Sequence, residues 1–303
     1  MYKRRIYKQK RNIEEKINVF LGIVLILVVL PVFITTFLGR LEVEDLLFNK
    51  PKTSHSEIEA KLPQIVARQV SVHMPDEVIK AQSVIARTQL MSAEEKGDTP
   101  PVCFSINDLQ ELWGDQFDTY YEKLQALVTE TAGEVLVYNG DYIYGAFHQA
   151  SAGNTRSMSE YYEKGGMPYL SGTACHEDTT SEGYLNVFFW TKEEFLALCS
   201  NVFSEENVTN GADVKVLKRD SADYVLEVQV GQTLYEGEEF RKKMQLPSAC
   251  FEITLIDGDV RIVTLGQGHG FGLSQNMAGV LAEEGKNYRE ILQYFYKGVS
   301  ITE

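Results

Sequence analysis

Pro75-Asp-Glu-Val-Ile-Lys-Ala-Gln-Ser-Val-Ile-Ala-Arg-Thr88 is the stretch of sequence that decides the fold. Pro75 and the two acidic residues after it are typical of a first helical turn, and Gly97 is typical of a helix end. Small residues in the middle of the stretch favour close packing against neighbouring elements. The sequence therefore predicts a central helix from Pro75 to Glu95.

Polar side chains on this helix are candidate ligand contacts. Lys80 and Arg87 are seven residues apart and share one stripe, Glu77 precedes Lys80 by one turn, and Gln82 lies between them. The alternative is a solvated charged face beside a core face, which is the ordinary arrangement in helices. We predict that Lys80, Gln82 and Arg87 contact substrate.

The remaining pattern mixes helices and strands without a regular alternation, so we expect an α+β fold. Helical patterns cover Ile58 to Val72, where Pro63 predicts an interruption or a strained helix, and Gln110 to Ala132. Residues 210–265 are rich in strand patterns, and a hairpin is predicted around Asn139-Gly140. Two short helices, Leu273 to Glu284 and Tyr288 to Tyr296, are predicted near the end.

Two loops carry further candidate residues. Gly266-Gln-Gly-His-Gly-Phe-Gly-Leu-Ser-Gln275 alternates glycines around an imidazole, which suits close approach of backbone and side chain to a ligand. The alternative is a glycine-rich turn with a satisfied histidine, and the spacing excludes a phosphate-binding loop. The second loop, 147–155, follows a strand. The candidate binding residues in these loops are Ser151, Gly153, Thr155, His269, Gly270, Ser274 and Gln275.

Charge and hydropathy divide the chain of 303 residues. Residues 1–16 form a basic tail with a local net charge of +5. Because the whole chain has a net charge of −14, the remaining residues carry −19. An acidic body of this size argues against nucleic acid as a partner. Residues 17–39 contain no charged side chain and are long enough to cross a bilayer as one helix. Residues 40–58 are interpreted as a linker and 59–303 as one extracytoplasmic domain.

Basic residues before the apolar stretch predict a cytoplasmic N-terminus and an uncleaved, single-pass signal anchor. A cleaved signal peptide and a buried core helix are the alternatives, but no Ala-x-Ala site follows the stretch. The four cysteines, Cys103, Cys175, Cys199 and Cys250, show no metal-binding spacing. We expect scattered buried thiols, although one or two disulfides are possible outside the cell.

Six blocks together resemble one protein family. The central helix is similar to the signature helix of the stage II sporulation protein D (SpoIID)/amidase enhancer LytB family. Residues 147–155 resemble its Ser-x-Gly-x-Thr loop, and Pro168-Tyr-Leu170 with Asp178 matches its next block. Leu246 to Phe251, Gly268 to Gly279 and the closing Tyr294-Phe-Tyr-Lys-Gly298 follow in the family's order, so that the resemblance spans residues 60–300.

The resemblance implies a lytic transglycosylase that cleaves peptidoglycan glycan strands, already stripped of stem peptides, during engulfment of the forespore. One carboxylic acid protonates the leaving oxygen and then takes a proton from the muramic 6-hydroxyl, which closes onto C1 as a 1,6-anhydro ring. The implied location is the cell membrane between mother cell and forespore. The implied partners are a cell-wall amidase and stage II sporulation proteins P and M.

The chain departs from the family at the acid. The family's glutamate stands eleven residues before the lysine of Lys-Ala-Gln, and here that position is Gln69, whose amide cannot transfer a proton in this way. Glu77 and Asp178 are the candidate acids that remain, and Gln69 is predicted to contact substrate. The family's cysteine and histidine cluster is not reproduced, so we predict no metal and no cofactor. Two hypotheses stay open: an active transglycosylase, and a non-catalytic glycan-binding protein that recruits or stimulates an amidase.

Overall fold

The computed structural model describes residues 55–162, 166–203 and 208–303. The basic tail and the proposed anchor over residues 17–39 lie outside these ranges. Within the described ranges, no helix has both the length and the apolar character required to cross a bilayer.

The structure is a mixed α+β fold, as expected. In chain order the α-helices are α1 His55–Gln69, α2 Asp76–Lys96, α3 Ile106–Trp113, α4 Phe117–Glu130, α5 Met158–Tyr161, α6 Lys192–Val202, α7 Gly237–Lys243, α8 Gln275–Glu283 and α9 Tyr288–Phe295. The strands are β1 Val135–Tyr138, β2 Asp141–Tyr142, β3 Phe147–His148, β4 Leu185–Trp190, β5 Val214–Arg219, β6 Val225–Val230, β7 Thr233–Glu236, β8 Phe251–Ile256, β9 Asp259–Leu265, β10 Leu273–Ser274 and β11 Ser300–Thr302.

Helix α2 is the centre of the first core, which confirms the helix predicted from Pro75 to Glu95. It starts after Pro75 and ends at Gly97, whose backbone adopts the left-handed conformation with φ 71°. Apolar side chains from α1, α4, α8 and α9 surround it, and twelve of its residues are buried. A helix buried on most of its surface needs the small side chains that the sequence places there.

The second core lies in the β-rich half. Two three-stranded antiparallel sheets, in the orders β4-β9-β8 and β5-β6-β7, pack with α6 and α7 around stacked aromatic rings of Phe203, Phe240 and Phe251. The two residues of β10 pair in parallel with β3. This pair attaches the glycine-rich loop, which follows β9, to the helical half.

The structure differs from the sequence prediction at three points. The hairpin at Asn139-Gly140 forms, but its second strand ends at Tyr142, because Gly145 must pass against the Ile85 side chain of α2. The predicted helix from Gln110 to Ala132 is divided at Gly114, whose φ is 51°. Helix α1 is continuous through Pro63, so the predicted interruption is wrong.

Candidate functional site

The glycine-rich loop, residues 266–275, packs against the interior of the protein. Gly266, Gly268, Gly270 and Gly272 all have positive φ values, between 70° and 115°. A Cβ atom at Gly270 would overlap the Tyr224 ring, and one at Gly272 would overlap the Ala146 carbonyl oxygen. The glycines are therefore required for close packing within the chain. Contact between this loop and a ligand stays a prediction.

His269 is held by its own loop and is neutral near pH 7. Its Nδ1 accepts a hydrogen bond from the Phe271 backbone N–H at 3.1 Å. Burial lowers the pKa of His269 to about 4. His148 lies 5.8 Å away, ring centre to ring centre, and its Nδ1 is 3.1 Å from the Phe271 carbonyl oxygen. Burial and the neighbouring imidazole lower the pKa of His148 to about 3.

A buried ion pair fastens the same loop and was not anticipated from the sequence. Arg156 and Asp220 are both almost fully buried, and the Arg156 Nε donates to Asp220 Oδ2 at 2.6 Å. The guanidinium also lies over the rings of Phe271 and Tyr224, at 4.5 and 5.0 Å from their centres. The partners are 64 residues apart in the chain, and no local pattern marks such a pair.

Asp178 joins the two predicted binding loops. It is fully buried, and its carboxylate accepts hydrogen bonds from the Ser151 N–H (2.7 Å), the Ser274 hydroxyl (2.7 Å) and the Asn276 side-chain amide (3.1 Å). We call these four residues the aspartate cluster. Three donors from two separate loops converge on one carboxylate, so the structure gives Asp178 an organising role within the fold.

Thr155 and Gly153 are also engaged inside the fold. The Thr155 hydroxyl accepts a hydrogen bond from the Thr173 N–H at 2.8 Å, and the Gly153 carbonyl accepts one from Cys175 at 2.9 Å. The next residue, Arg156, donates its backbone N–H to the Gly270 carbonyl at 2.7 Å, which joins this loop to the glycine-rich loop. Their contact with a substrate stays a prediction.

Four glutamines form a hydrogen-bonded network beside the aspartate cluster, because Gln275 lies between Ser274 and Asn276 in the chain. Gln69 Nε2 donates to Gln89 Oε1 at 2.9 Å, and Gln82 Nε2 donates to Gln69 Oε1 at 2.8 Å. Gln275 Nε2 donates to the Gln69 backbone carbonyl at 2.7 Å and lies 3.3 Å from Gln82 Oε1. We call these residues the glutamine cluster. It brings the candidate residues Gln69, Gln82 and Gln275 together, and their contact with a substrate stays a prediction.

Gln89 was missed, although a signal for it existed. It stands seven residues after Gln82 on α2, which is two helical turns and therefore the same face. Its Nε2 donates to the Gly145 carbonyl at 2.7 Å. The network thus links α1 and α2 to Gly145, in the segment that follows β2.

The glutamine cluster opens into a cavity of about 550 Å³. Gln69 and Gln89 line it beside Tyr144, whose side chain is 53% exposed. Arg68 and Lys96 supply two cations and Asp98 one carboxylate. The full lining consists of Arg68, Gln69, Gln89, Ser92, Ala93, Lys96, Asp98, Thr99, Pro101, Val102, Ile143, Tyr144, Gly145, Phe147 and Met167.

Glu77, Lys80 and Arg87 have partners elsewhere and do not line this cavity. Glu77 pairs with Lys80 at 2.9 Å and accepts a hydrogen bond from the Tyr288 N–H at 2.7 Å. Lys80 also pairs with Glu130 at 2.7 Å. The roles predicted for Glu77 and Lys80 in substrate chemistry remain predictions.

Arg87 is fully buried and holds the helical core together. Its Nε lies 2.6 Å from Glu59 Oε1, and its Nη atoms reach the carbonyls of Val128 and Glu134. The Arg87 guanidinium therefore has its partners within the fold, one bidentate carboxylate and two backbone carbonyls. Contact between Arg87 and substrate also remains a prediction.

The four cysteines are free thiols. Cys175, Cys199 and Cys250 are buried as expected, and burial raises the pKa of Cys175 to about 12. Cys103 is exposed, which differs from the expectation of buried thiols. Across the described ranges no cluster of three His, Cys, Asp or Glu side chains is arranged to hold a metal ion.

Comparison with known proteins places these features in a family. The family model described as stage II sporulation protein (SpoIID) matches residues 51–138. The stage II sporulation protein D of Bacillus subtilis (strain 168) is 29% identical over 253 residues, which cover 79% of this chain and 72% of that protein. The protein of the same name from Bacillus amyloliquefaciens matches to the same extent.

The amidase enhancer of Bacillus subtilis (strain 168) is 25% identical over 280 residues, which cover 75% of this chain and 38% of that protein. The family model covers the helix that carries Gln69 and the signature helix α2. The longer matches extend over most of the described chain. Residues 51–138 therefore match the SpoIID family, and the chain as a whole is similar to stage II sporulation proteins D and to an amidase enhancer.

Proposed function

We propose that this protein binds peptidoglycan glycan strands in the cavity beside Gln69 and acts in cell-wall processing during sporulation. The observation that carries the proposal is the pair of amides, Gln69 and Gln89, on the wall of a cavity that also exposes Tyr144. Amides offer both donors and acceptors to sugar hydroxyls and acetamido groups. A partly exposed tyrosine offers an apolar face together with a polar tip.

The position of Gln69 favours binding without cleavage. Gln69 stands where the family resemblance places the acid, eleven residues before Lys80. Its side chain lines the cavity, as a catalytic acid would have to. The carboxamide, however, has no proton to give to a leaving oxygen. A cavity that has lost only the acid retains its other contacts with the strand, and therefore its affinity.

The charges of the cavity support a ligand with carboxylates. Arg68 and Lys96 outnumber Asp98 in the lining, although the whole chain has a net charge of −14. Within the described residues, neither cation forms an ion pair. A glycan strand stripped of its stem peptides exposes one free lactyl carboxylate on each muramic acid, and that charge suits this lining.

Membrane attachment and partners belong to the same proposal. The apolar residues 17–39 would anchor the protein, with the domain outside the membrane and, in a sporulating cell, between the mother-cell and forespore membranes. The amidase enhancer among the relatives supports a cell-wall amidase as the functional partner. A binding protein that holds the strand would present it to that enzyme.

A second candidate, lytic transglycosylation, is favoured by one observation. Asp98 is a carboxylate in the lining of the cavity, at the end of α2. A carboxyl group can donate and recover a proton, which the Gln69 amide cannot do. Glu77 and Asp178 remain predicted acids, but each has the structural contacts described above.

Binding of denuded glycan strands to the full chain tests the proposal, with Tyr144→Ala as the informative variant. We expect the dissociation constant to rise about tenfold, because loss of an aromatic contact costs roughly 0.5–1.5 kcal/mol. Leu234→Ala is the matched control, because Leu234 is 59% exposed on β7 and does not line the cavity. Equal affinities for the two variants would contradict binding at this cavity.

The same strands distinguish the second candidate by mass analysis of their ends. Binding without 1,6-anhydro ends supports the first proposal. Anhydro ends that disappear with Asp98→Asn, Glu77→Gln or Asp178→Asn would support transglycosylation and identify its acid. Retained folding of each variant, checked by circular dichroism, separates a lost acid from a lost fold.

A further inference from the structure

The peptide groups of Phe271 fix the tautomers of two imidazoles. The Phe271 N–H donates to His269 Nδ1 at 3.1 Å, so neutral His269 carries its proton on Nε2. The Phe271 carbonyl oxygen lies 3.1 Å from His148 Nδ1, so neutral His148 carries its proton on Nδ1. The two histidines therefore have opposite tautomers, and the group that His269 has left for another molecule is a donor.

The Nε2 atom of His269 reaches solvent. The residue is only partly buried, and no acceptor for its Nε2–H lies among the described residues. The buried side-chain atoms without a partner include His148 Nε2 but not His269 Nε2. The glycine-rich loop thus presents one neutral donor at its surface, and a ligand can accept from it.

A row of aromatic rings leads from His269 to the cavity beside Gln69. The ring centre of Phe271 is 5.9 Å from that of His269 and 5.3 Å from that of Tyr161. Tyr161 lies 4.9 Å from Tyr162, ring centre to ring centre. Burial and then the nearby Tyr162 raise the pKa of Tyr144, which stands on the cavity wall. We call Tyr144, Tyr162, Tyr161, Phe271 and His269 the aromatic row.

Three members of the aromatic row are open to solvent. Tyr144 and Tyr162 are each 53% exposed, and His269 is partly exposed. Tyr161 is fixed between them, because its hydroxyl donates to Glu236 Oε2 at 2.7 Å. Aromatic rings beside a few well-placed polar groups are the usual lining of ligand sites.

Helix α7 borders the same row. Glu238 pairs with Arg241 at 2.7 Å and lies 3.8 Å from the exposed Lys242. After burial, which dominates both shifts, the Glu238 carboxylate raises the pKa of Tyr144 and also that of His269, so it lies near both. The surface between Tyr144 and His269 therefore combines a neutral donor with an exposed ammonium group, which suits a ligand with oxygen acceptors.

A glycan strand is longer than the cavity that is proposed to bind it. A cavity of about 550 Å³ holds a ligand of drug size, which for a glycan is about one disaccharide. The neighbouring sugars must therefore lie on the surface that adjoins the cavity. The aromatic row is such a surface, since Tyr144 belongs to both.

We propose that the aromatic row is a second subsite, which binds the next sugars of the strand beyond the cavity. Tyr162 packs against a sugar ring, and His269 Nε2–H donates to an oxygen acceptor on that sugar, its acetamido carbonyl or its lactyl carboxylate. His269 is a binding residue only, because its Nδ1 lone pair is engaged with Phe271 and cannot accept a proton. The inference rests on the proposed function, because it requires a strand in the cavity.

Binding of denuded strands of two lengths to the full chain tests the subsite. A strand of one disaccharide occupies only the cavity, whereas a strand of three disaccharides also reaches the aromatic row. We expect the longer strand to bind about tenfold more tightly, from one aromatic contact and one hydrogen bond. Equal affinities would overturn the subsite alone. Failure of both strands to bind would overturn the proposed function and the subsite with it.

Two substitutions of His269 separate its two hydrogen bonds. His269→Asn keeps an acceptor for the Phe271 N–H and removes the Nε2 donor, whereas His269→Gln places an amide N–H near the position of Nε2. We expect His269→Asn to weaken binding of the longer strand roughly two- to tenfold and His269→Gln to retain most of the affinity. Wild-type affinity of His269→Asn for the longer strand would overturn the contact.

Tyr162→Ala tests the row outside the glycine-rich loop. We expect roughly two- to tenfold weaker binding of the longer strand and little change for the shorter one. Leu234→Ala, at an equally exposed site on β7, should change neither. An equal loss for both lengths with Tyr162→Ala would overturn the assignment of Tyr162 to a second subsite.

Chitin oligosaccharides of matched length identify the acceptor, because they carry acetamido groups and no lactyl carboxylates. If His269→Asn weakens binding of chitin and denuded strands alike, the acceptor is the acetamido carbonyl. A loss confined to the denuded strands identifies the lactyl carboxylate. No loss with either ligand would overturn the proposed hydrogen bond.

Discussion

The glutamine cluster and the aspartate cluster hold adjacent residues of one segment, 274–276, by different chemistry. Gln275 contacts Gln69 and Gln82, and its neighbours Ser274 and Asn276 contact Asp178. Asp178 is fully buried, but Gln69 and Gln89 are only partly buried and face a cavity.

This contrast distinguishes residues that stabilise the fold from residues that are available to a ligand. A buried carboxylate with three donors organises the loops, because each donor would be costly to leave without a partner. Neutral amides at a cavity wall can exchange hydrogen bonds with a ligand at little cost. We therefore expect changes at Asp178 to alter stability, and changes at Gln69 to alter what happens to the bound strand.

The largest effect should come from Gly272→Ala, which would disturb both clusters together. Gly272 has φ 70°, and a Cβ atom there would overlap the Ala146 carbonyl oxygen. We expect a loss of about 3–5 kcal/mol in the free energy of unfolding, from the left-handed conformation and the overlap. Urea unfolding measures it.

Gly285→Ala is the control for this prediction. Gly285 has φ 88°, and a Cβ atom there would meet no other atom within 4 Å. It should cost only about 1–2 kcal/mol, the conformational part alone. Equal losses for the two glycines would show that the loop is not held against Ala146.

Asp178→Ala should have the next largest effect, about 3 kcal/mol, because it leaves buried donors at Ser151 and Ser274 without an acceptor. Asp178→Asn keeps one carbonyl oxygen for those donors, and its amide can pair with Asn276 after rotation. We expect that variant to lose about 1 kcal/mol. Thermal and urea unfolding compare the two. A loss for asparagine as large as for alanine would indicate that the negative charge itself is required.

Acid should weaken the loop through its histidines, a smaller and gradual effect. His148 pairs with Ser274 across β3 and β10, and the pKa values of His148 and His269 are lowered to about 3 and about 4. In the unfolded chain a histidine has a pKa of about 6.5. Below that pH the two histidines bind protons in the unfolded chain but stay neutral in the folded chain. The stability is therefore complete above pH 6.5 and declines as pH falls toward 4.

Each histidine should contribute a slope of about 1.4 kcal/mol per pH unit between pH 6 and 4. His148→Asn keeps a donor near the Phe271 carbonyl and removes one titrating group. The difference in unfolding free energy between this variant and wild type should therefore change with pH over that interval. A constant difference would contradict the neutral state of His148 in the fold.

Local signals predict the elements well where the chain itself supplies the cause. Pro75 and Gly97 bound the central helix as expected, and Asn139-Gly140 forms its turn with positive φ at both residues. The second strand of that hairpin is short for a reason that sequence cannot show. Gly145 lies against Ile85, sixty residues earlier, and the chain must leave β1 there.

The site was predictable in its parts and less so in its roles. Gln69, Gln82 and Gln275 were all candidate binding residues, but their direct contact with one another was not predicted. The stripe of Lys80 and Arg87 looks the same in sequence whether it meets a ligand or carboxylates from α1 and α4. The Arg156–Asp220 pair depends entirely on tertiary packing, since its members are remote in the chain.

The most direct test of the central claim is the yield of 1,6-anhydro ends from denuded glycan strands with wild type and with Gln69→Glu, measured by mass. In its protonated form, the introduced carboxylic acid can donate to Gln89 and accept from Gln82 as the amide does. The account predicts binding without anhydro ends for wild type and anhydro ends for Gln69→Glu. Anhydro ends from wild type, or none from a Gln69→Glu variant that still binds the strands, would contradict it.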